Sequence, residues 1–228
     1  MRMRNAPGIS RKTAPAADLK LRKKLQAARL YVITPDVAPD QIVEIAVAAQ
    51  RGGADIVQLR DKTLGRRELL TLARRLRELL TDSLFIVNDH VDIAVLSEAD
   101  GVHLGQDDLS VAAARRVAGN RLIIGASVSS VEAARSAVKE GAAYLGSGPA
   151  FKTPIKVQKP VIGPQGVADI AAAVGPKRPV FAIGGITATN IAELAAAGVH
   201  RACVIRAVAE AKDPEQATRR LRAMLTPK

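Results

Sequence analysis

The stretch VFAIGGITATNIAELAAAGVHRACVI, residues 180–205, contains two short apolar runs joined by a segment with helical periodicity. The runs VFAIGG (180–185) and RACVI (201–205) are apolar on both faces, which is typical of strands in a buried parallel sheet. The second run follows AAGV, a pattern in which a glycine ends a helix just before a strand begins. We therefore interpret the stretch as one strand–helix–strand unit.

The same alternation recurs from residue 29 onward. Helical segments such as RRELLTLARRLRELL (66–80) and SVEAARSAVKEGA (130–142) separate short β-branched runs, and Ser129 with Glu132 predicts a capping box at the start of the second segment. Eight such units in about 200 residues predict a single (β/α)8 barrel of the α/β class, because a doubly wound sheet more often has about five to seven strands. The six further runs are LYVIT (30–34), DIVQLR (55–60), LFIVN (84–88), GVHLG (101–105), LIIGAS (122–127) and YLGSG (144–148).

The composition is that of one domain with a full core, since 48% of the 228 residues are hydrophobic. We assign residues 28–228 to the barrel and residues 1–27 to a basic N-terminal extension, partly disordered or helical. The lone Cys203 excludes a disulfide framework and is interpreted as a small core residue. Without a secretory signal or an apolar run of about eighteen residues, we expect a cytoplasmic protein with no membrane partner.

The net charge of +12 is concentrated in the N-terminal extension, because residues 1–29 hold nine Lys or Arg and a single acid, Asp18. Aromatic residues are only 2% of the chain, so stacking platforms for bases are scarce, and we expect no nucleic-acid partner. We interpret the extension as a solvated leader and expect that deleting residues 1–25 leaves turnover nearly unchanged. The sequence leaves open whether the chain forms a homo-oligomer.

Cationic side chains follow the second predicted strand, where QLRDK contains Gln58, Arg60 and Lys62 at alternating positions. The active site of a (β/α)8 barrel lies at the C-terminal ends of its strands, so these residues are candidates for the site. Arg and Lys on one side of a strand can bind a phosphate or diphosphate. The alternative is ion pairing with acids on the barrel rim, and Asp61 between them keeps that alternative open.

Carboxylates follow the third and fourth strands, in IVNDH and DGVHLGQDD. Asp89 and Asp108 would meet over the same mouth, where two carboxylates repel each other unless a cation lies between them. Magnesium suits such a place, since it commonly takes one or two carboxylates together with waters and phosphate oxygens. The alternative is that Asp107 or Asp108 caps a helix that begins near Ser110.

The histidines of these runs give weaker signals. A neutral His in a buried strand or at a helix start is more often structural, so we interpret His90 and His103 in that way. Ser127 ends the fifth strand without a His and Asp arrangement that would make it a nucleophile. Hydrogen bonding to a phosphate is the role we expect for it.

A second anion site is predicted over strands seven and eight. Two glycines end strand seven before a helix that we expect Thr187 to cap, and another helix follows strand eight, a recurrent phosphate site in barrels. The long Gly- and Pro-rich loop 146–166 suggests a binding loop or lid, with Thr153, Lys156 and more weakly Lys159 facing the ligand. Two anion sites at one mouth indicate two phosphorylated ligands.

The motifs QLRDK, NDH, ADGVHLGQDD, GAS, GPAFKTPIK and AIGGIT occur in this order over roughly residues 29–210. In this combination the chain resembles the thiamine phosphate synthase family, including its thiazole tautomerase relatives. The resemblance implies a (β/α)8 barrel enzyme that joins hydroxymethylpyrimidine diphosphate to thiazole phosphate with Mg²⁺. Pyrophosphate would depart first, and the thiazole nitrogen would then capture the pyrimidine cation, giving thiamine monophosphate.

The resemblance also implies roles for individual residues. Asp89 and Asp108 would bind Mg²⁺, while Arg60, Lys62 and Lys156 would be catalytic by stabilising the departing charge. The pyrimidine diphosphate would be held by Gln58, Leu59, Arg60, Asp61, Lys62, Asn88, Ser127 and Lys156, and the thiazole phosphate by Thr153, Gly185, Ile205 and Arg206.

The loop KTPIK departs from the usual pattern of the family, Pro-Thr-x-Thr-Lys. Lys152 replaces the proline and Ile155 the second threonine, which puts affinity for thiazole phosphate in doubt more than the chemistry. A tautomerase would tend to lack the paired acids and to carry a His where this chain has Ser129. A tautomerase-like isomerase and a non-catalytic thiazole-phosphate-binding paralogue remain the alternatives.

Overall fold

Eight parallel strands form a closed barrel in chain order, which confirms the predicted (β/α)8 fold. The computed structural model describes residues 16–153 and 160–225. Each predicted run contains a strand, and the bounds differ from the prediction by at most two residues. The strands are β1 (Leu30–Ile33), β2 (Ile56–Leu59), β3 (Leu84–Asn88), β4 (Gly101–Leu104), β5 (Ile123–Val128), β6 (Tyr144–Ser147), β7 (Val180–Ile183) and β8 (Ala202–Val204).

Helices alternate with the strands around the outside of the barrel. None of those in the described part of the chain is long and apolar enough to cross a lipid bilayer. They are α1 (Ala16–Ala27), α2 (Pro39–Arg51), α3 (Arg66–Leu79), α4 (Val91–Leu96), α5 (Val111–Ala118), α6 (Val131–Lys139), α7 (Gly163–Val174), α8 (Ile191–Ala196), α9 (Arg206–Ala209) and α10 (Pro214–Met224).

The core has two layers, because successive side chains of a strand point to opposite faces of the sheet. In β1, Leu30 and Val32 belong to the outer cluster between sheet and helices, whereas Tyr31 and Ile33 belong to the cluster that fills the barrel. Cys203 of β8 is buried in the inner cluster, as expected of a small core residue. The strands are therefore apolar on both faces because both faces are covered.

Helix α1 lies under the N-terminal end of the barrel. Leu25 is 3% exposed and belongs to the barrel interior, with Leu21 packed against the same cluster. Side-chain bonds from Gln26 to the carbonyl of Lys177, and from Arg201 to the carbonyl of Gln26, attach the end of α1 to the strand entrances. The interpretation of residues 1–25 as a solvated leader is therefore wrong for Leu21 and Leu25, because deleting these residues would remove apolar side chains from the core. The effect of the deletion on turnover stays a prediction.

Two predicted helix caps, and a third that was kept as an alternative, lie at other residues in the structure. Helix α6 is capped by Ser130, whose hydroxyl accepts a hydrogen bond from the amide of Ala133, and not by Ser129. Asn190, not Thr187, occupies the cap position of α8, because a turn precedes that helix. Ser110 caps α5, so the interpretation of Asp107 or Asp108 as its cap is wrong.

Candidate active site

The two cations after β2 are paired with acids from neighbouring strand ends. Arg60 Nη1 donates to Asp36 Oδ2 at 2.8 Å, and Lys62 Nζ donates to Asp89 Oδ2 at 2.5 Å. The ion-pairing alternative is thus realised in this structure, although Asp61 is not the acid involved. Both cations nevertheless lie at the C-terminal mouth, and a bound diphosphate would compete with these carboxylates for them.

Asp61 shapes the loop that carries Lys62. It is 6% exposed, and its Oδ1 accepts hydrogen bonds from the amide and hydroxyl of Thr63 and from the amide of Leu64. Burial raises the pKa of Asp61, but these hydrogen bonds outweigh burial and lower its pKa overall. The side chain of Leu59 is buried in the outer cluster, so only its backbone is left for a ligand at the mouth.

Asp89 and Asp108 meet at the mouth, from the ends of β3 and β4. Burial raises the pKa of Asp108, and a hydrogen bond shared with the Asp89 carboxyl raises it further. The amide of Gly105 donates to Asp108 Oδ2 at 2.8 Å, and the amide of Asp89 donates to the carbonyl of His103 at 2.8 Å. Two neighbouring carboxylates of this kind have the chemistry that Mg²⁺ takes in proteins.

A cavity of about 590 Å³ adjoins the two acids. Within residues 16–153 and 160–225, no cluster of three or more His, Cys, Asp or Glu has the arrangement of a metal site. The cavity is lined by Asp61, Lys62, Leu64, Arg66, Asp89, His90, Val91, Asp92, Asp108, Leu109 and Val117.

A chain of hydrogen bonds crosses the barrel interior from β2 to β5. Gln58 Nε2 donates to the Tyr31 hydroxyl at 2.6 Å, the hydroxyls of Tyr31 and Tyr144 are 3.0 Å apart, and His103 Nδ1 is 3.2 Å from the Tyr144 hydroxyl. His103 Nε2 lies 2.9 Å from Ser127 Oγ. His103 is thus satisfied within the core, as predicted, and it is also a hydrogen-bonding partner of Ser127, which the sequence patterns did not predict.

Small residues make room for this network. A Cβ atom at Gly125 would lie 2.1 Å from the Tyr144 ring, and one at Gly146 would lie 3.2 Å from the His103 ring. Burial raises the pKa of both Tyr31 and Tyr144, which keeps their hydroxyls protonated. Inspection of β1 and β6 for polar side chains at inward positions could have revealed the two tyrosines, whereas their connection depends on the closure of the barrel.

The predicted anion cradle after β7 has left-handed backbone at Gly184 (φ +100°) and Gly185 (φ +63°). A Cβ atom at Gly185 would lie 2.3 Å from the carbonyl oxygen of Lys152, so the loop after β6 and the turn after β7 touch directly. Asn190 Nδ2 donates to the carbonyl of Gly185 at 2.9 Å and holds the turn.

The remaining predicted residues lie near the same mouth or outside the described chain. Asn88 ends β3 and is half-buried, while Ile205 and Arg206 follow β8 at the start of α9. Thr153 lies on the loop after β6, and Lys156 and Lys159 lie outside the described residues. Asp36 also lies at this mouth and was not predicted from the sequence, although the rule that active-site residues follow barrel strands also applies to the end of β1.

Comparison with known proteins identifies the family. A sequence model described as thiamine monophosphate synthase matches residues 30–208. The thiamine-phosphate synthase of Thermobifida fusca is 45% identical over 213 residues, which cover 91% of this chain and 97% of that protein. The thiamine-phosphate synthase of Gloeobacter violaceus is 45% identical over 209 residues, which cover 90% of this chain but only 59% of that longer protein.

A solved structure shows the same relationship. The thiamine phosphate pyrophosphorylase from Pyrococcus furiosus superposes with a TM-score of 0.78 at 42% sequence identity, covering 90% of this chain and 97% of that one. Fold and sequence therefore agree over nearly the whole barrel. The chain belongs to the thiamine monophosphate synthase family and is a transferase of thiamine biosynthesis.

Proposed function

We propose that this enzyme joins hydroxymethylpyrimidine diphosphate to thiazole phosphate and releases thiamine monophosphate and pyrophosphate. The observation that carries the proposal is the meeting of the Asp89 and Asp108 carboxylates beside Lys62, at the mouth that also holds the glycine turn after β7. A cation-assisted leaving-group site and a backbone phosphate site on one mouth fit a reaction between two phosphorylated substrates.

Asp89 and Asp108 would hold Mg²⁺, and the bound ion would stabilise the negative charge that develops on the leaving diphosphate. Arg60 contributes through its guanidinium, because only one of its nitrogens, Nη1, is bonded to Asp36 among the described residues. Lys62 would exchange its bond to Asp89 for a diphosphate oxygen. Ser127, whose Oγ is 2.9 Å from His103 Nε2, would be oriented towards the same group.

The bond changes require no general base. The bond between the pyrimidine methylene carbon and the diphosphate oxygen breaks, and its electron pair leaves with pyrophosphate. The lone pair of the thiazole nitrogen then forms the new carbon–nitrogen bond, so no proton has to move. The scheme does not use His103 as a base. Its two ring nitrogens instead lie within hydrogen-bonding distance of the hydroxyls of Tyr144 and Ser127.

The thiazole phosphate would be held by Thr153, Gly185 and the backbone of Ile205 and Arg206. The left-handed turn at Gly185 supports this assignment, because such turns bring backbone amides close to an anion. The role of Lys156 at the diphosphate stays a prediction from the resemblance to the family. We also propose that the enzyme works in the cytoplasm on small molecules.

The test is to supply the purified full chain with both substrates and Mg²⁺ and to measure thiamine monophosphate. We expect product that disappears with EDTA and returns with excess Mg²⁺. Product formation that persists in EDTA would refute the metal assignment. Binding of thiazole phosphate without product would favour a non-catalytic paralogue, and metal-independent isomerisation of the thiazole would favour a tautomerase.

Adjacent acids provide a matched pair of variants. Asp108→Asn removes a carboxylate that lines the cavity, whereas Asp107→Asn changes the neighbouring exposed acid, which does not line it. We expect Asp108→Asn to lower kcat by about a hundredfold or more and Asp107→Asn to leave it within about threefold. Equal effects of the two changes would contradict the assignment of Asp108.

A further inference from the structure

One carboxylate, Asp36, contacts both cationic positions of the β2–α3 loop. Its Oδ2 accepts a hydrogen bond from Arg60 Nη1 at 2.8 Å, and its Oδ1 accepts one from the backbone amide of Lys62 at 2.9 Å. The side chain of Asp36 is 34% exposed and that of Arg60 is 23% exposed, so the pair lies at the mouth and is partly shielded from water.

Asp36 continues a connection that begins at the end of β1. The amide of Thr34 donates to the carbonyl of Gln58 at 2.9 Å, and the Thr34 hydroxyl bonds to both the amide and the carbonyl of Arg60, at 3.0 and 3.1 Å. The side chains of Thr34 and Asp36 therefore extend the contact between β1 and β2 beyond the last paired strand residues. The loop with both cations is held from the side of β1 as well as by Asp61.

This connection matters because the two cations reach the mouth by different means. Arg60 has a long side chain with several hydrogen-bond donors, so the position of its guanidinium depends on the contact between Nη1 and Asp36. Lys62 depends on the course of its backbone, which the Asp36 carboxylate fixes through the amide. Misplacement of a catalytic group by about 1 Å can lower a rate by about a hundredfold.

We propose that Asp36 is a positioning residue that sets Arg60 and the backbone of Lys62 for the leaving diphosphate. The inference rests on the proposed function, in which these two cations receive pyrophosphate. Asp36 touches neither substrate in this scheme and acts through Arg60 and Lys62. Its effect is therefore confined to the pyrimidine diphosphate half of the reaction.

Steady-state kinetics of the full chain, varying each substrate separately, tests the proposal. We expect Asp36→Ala to lower kcat/KM for the pyrimidine diphosphate by about ten- to a hundredfold and to leave KM for thiazole phosphate within about twofold. The matched control is Asp40→Asn, which changes an 80% exposed acid that pairs with Arg75 on neighbouring helices. This control should leave the constants for both substrates unchanged.

Asp36→Asn separates the two contacts and guards against a folding defect in the alanine variant. Asparagine keeps one oxygen for the Lys62 amide but presents an NH₂ group to Arg60, so we expect a loss between those of wild type and Asp36→Ala. In an Arg60→Ala background, Asp36→Asn should have almost no further effect, since its contact partner is gone. Melting temperatures of all variants should stay close to that of the wild type.

The outcomes distinguish this inference from the function itself. A wild-type chain that forms no thiamine monophosphate refutes the proposed function. An active wild type with unchanged kcat/KM in Asp36→Ala refutes only the role of Asp36. A KM for thiazole phosphate that rises as much as the KM for the pyrimidine diphosphate, or an undiminished effect of Asp36→Asn in the Arg60→Ala background, would also overturn that role.

Discussion

Asp89 combines an unusual backbone with a candidate metal ligand. Its φ of 60° lies in the left-handed region, which aspartate and asparagine tolerate better than most residues. The side chain is 10% exposed and contacts both Lys62 and Asp108. Strained backbone at such a place is a recurrent feature of active sites, because the surrounding structure must hold it.

Asp89→Asn is expected to lower kcat far more than it weakens thiazole phosphate binding. The substitution keeps the backbone preference and the size of the side chain but removes a charge from the acid pair. We expect kcat to fall by about a hundredfold or more, with the dissociation constant for thiazole phosphate within about threefold. Parallel losses in turnover and in calorimetric thiazole phosphate binding would contradict the division into two sites.

Asp61→Asn is expected to change how stability depends on pH. The folded pKa of Asp61 is lowered, so the carboxylate contributes stability above the unfolded pKa of about 3.9, and this contribution is lost as the pH falls through the folded value. The difference in free energy of unfolding between wild type and variant should be largest near neutral pH and should shrink below about pH 4.

Denaturant unfolding at neutral and acidic pH measures this difference. Thr63→Ala is the comparison, since it removes the hydroxyl donor to Asp61 but leaves the two backbone donors in place. At neutral pH, Thr63→Ala should lower the free energy of unfolding less than Asp61→Asn does. If Asp61→Asn lowers the free energy of unfolding by the same amount at both pH values, the charge of Asp61 does not stabilise the fold.

At the scale of elements, α1 is part of the barrel although its own sequence is basic. Its basic sequence predicts a solvated helix, and Leu19 is indeed 60% exposed. Leu25, six residues further on, is buried among side chains of the barrel interior. A short, basic segment with weak hydrophobic periodicity gives too weak a pattern to predict this docking.

Leu25→Ala is expected to lower the free energy of unfolding by about 2 to 5 kcal/mol, because it leaves a cavity in the inner cluster. Leu19→Ala, on the same helix but exposed, should change it by less than about 0.5 kcal/mol. Urea unfolding followed by circular dichroism makes the comparison. Equal effects would show that α1 does not close the barrel, and kcat should be unaffected in either folded variant because α1 lies opposite the mouth.

For the whole molecule, the interior network connects five strands through side chains. Gln58, Tyr31, Tyr144, His103 and Ser127 come from β2, β1, β6, β4 and β5. The network joins two residues assigned to the pyrimidine diphosphate, Gln58 and Ser127, across the barrel. Fully bonded polar networks of this kind favour a single arrangement of the core.

Tyr144→Phe is expected to destabilise the protein by about 1 to 3 kcal/mol, because Tyr31 and His103 each lose a buried partner. The ring remains, so packing against Gly125 is retained. Thermal or urea unfolding measures the loss. A free energy of unfolding equal to that of the wild type would mean that the hydrogen bonds of Tyr144 make no net contribution to stability. The double variant with Tyr31→Phe would then show no coupling energy between the two tyrosines.

The barrel and the general place of its active site are predictable from this sequence because they depend on local patterns. Strands such as LFIVN (84–88) are apolar on both faces, and their spacing by helices leaves few topologies. The motif residues follow strand ends, where the barrel rule places an active site. The placement of Asp89 and Asp108 at one mouth follows from the same reasoning, since parallel strands end on the same side.

Tertiary structure alone decided which side chains are partners. Asp61 lies between Arg60 and Lys62 in the sequence, yet Asp36 binds both of these residues while Asp61 bonds to its own loop. Leu25 and Tyr144 likewise belong to one interior cluster although they are far apart in the chain. Sequence periodicity records which face of an element is buried, whereas contacts across a closed barrel depend on the register and closure of all eight strands.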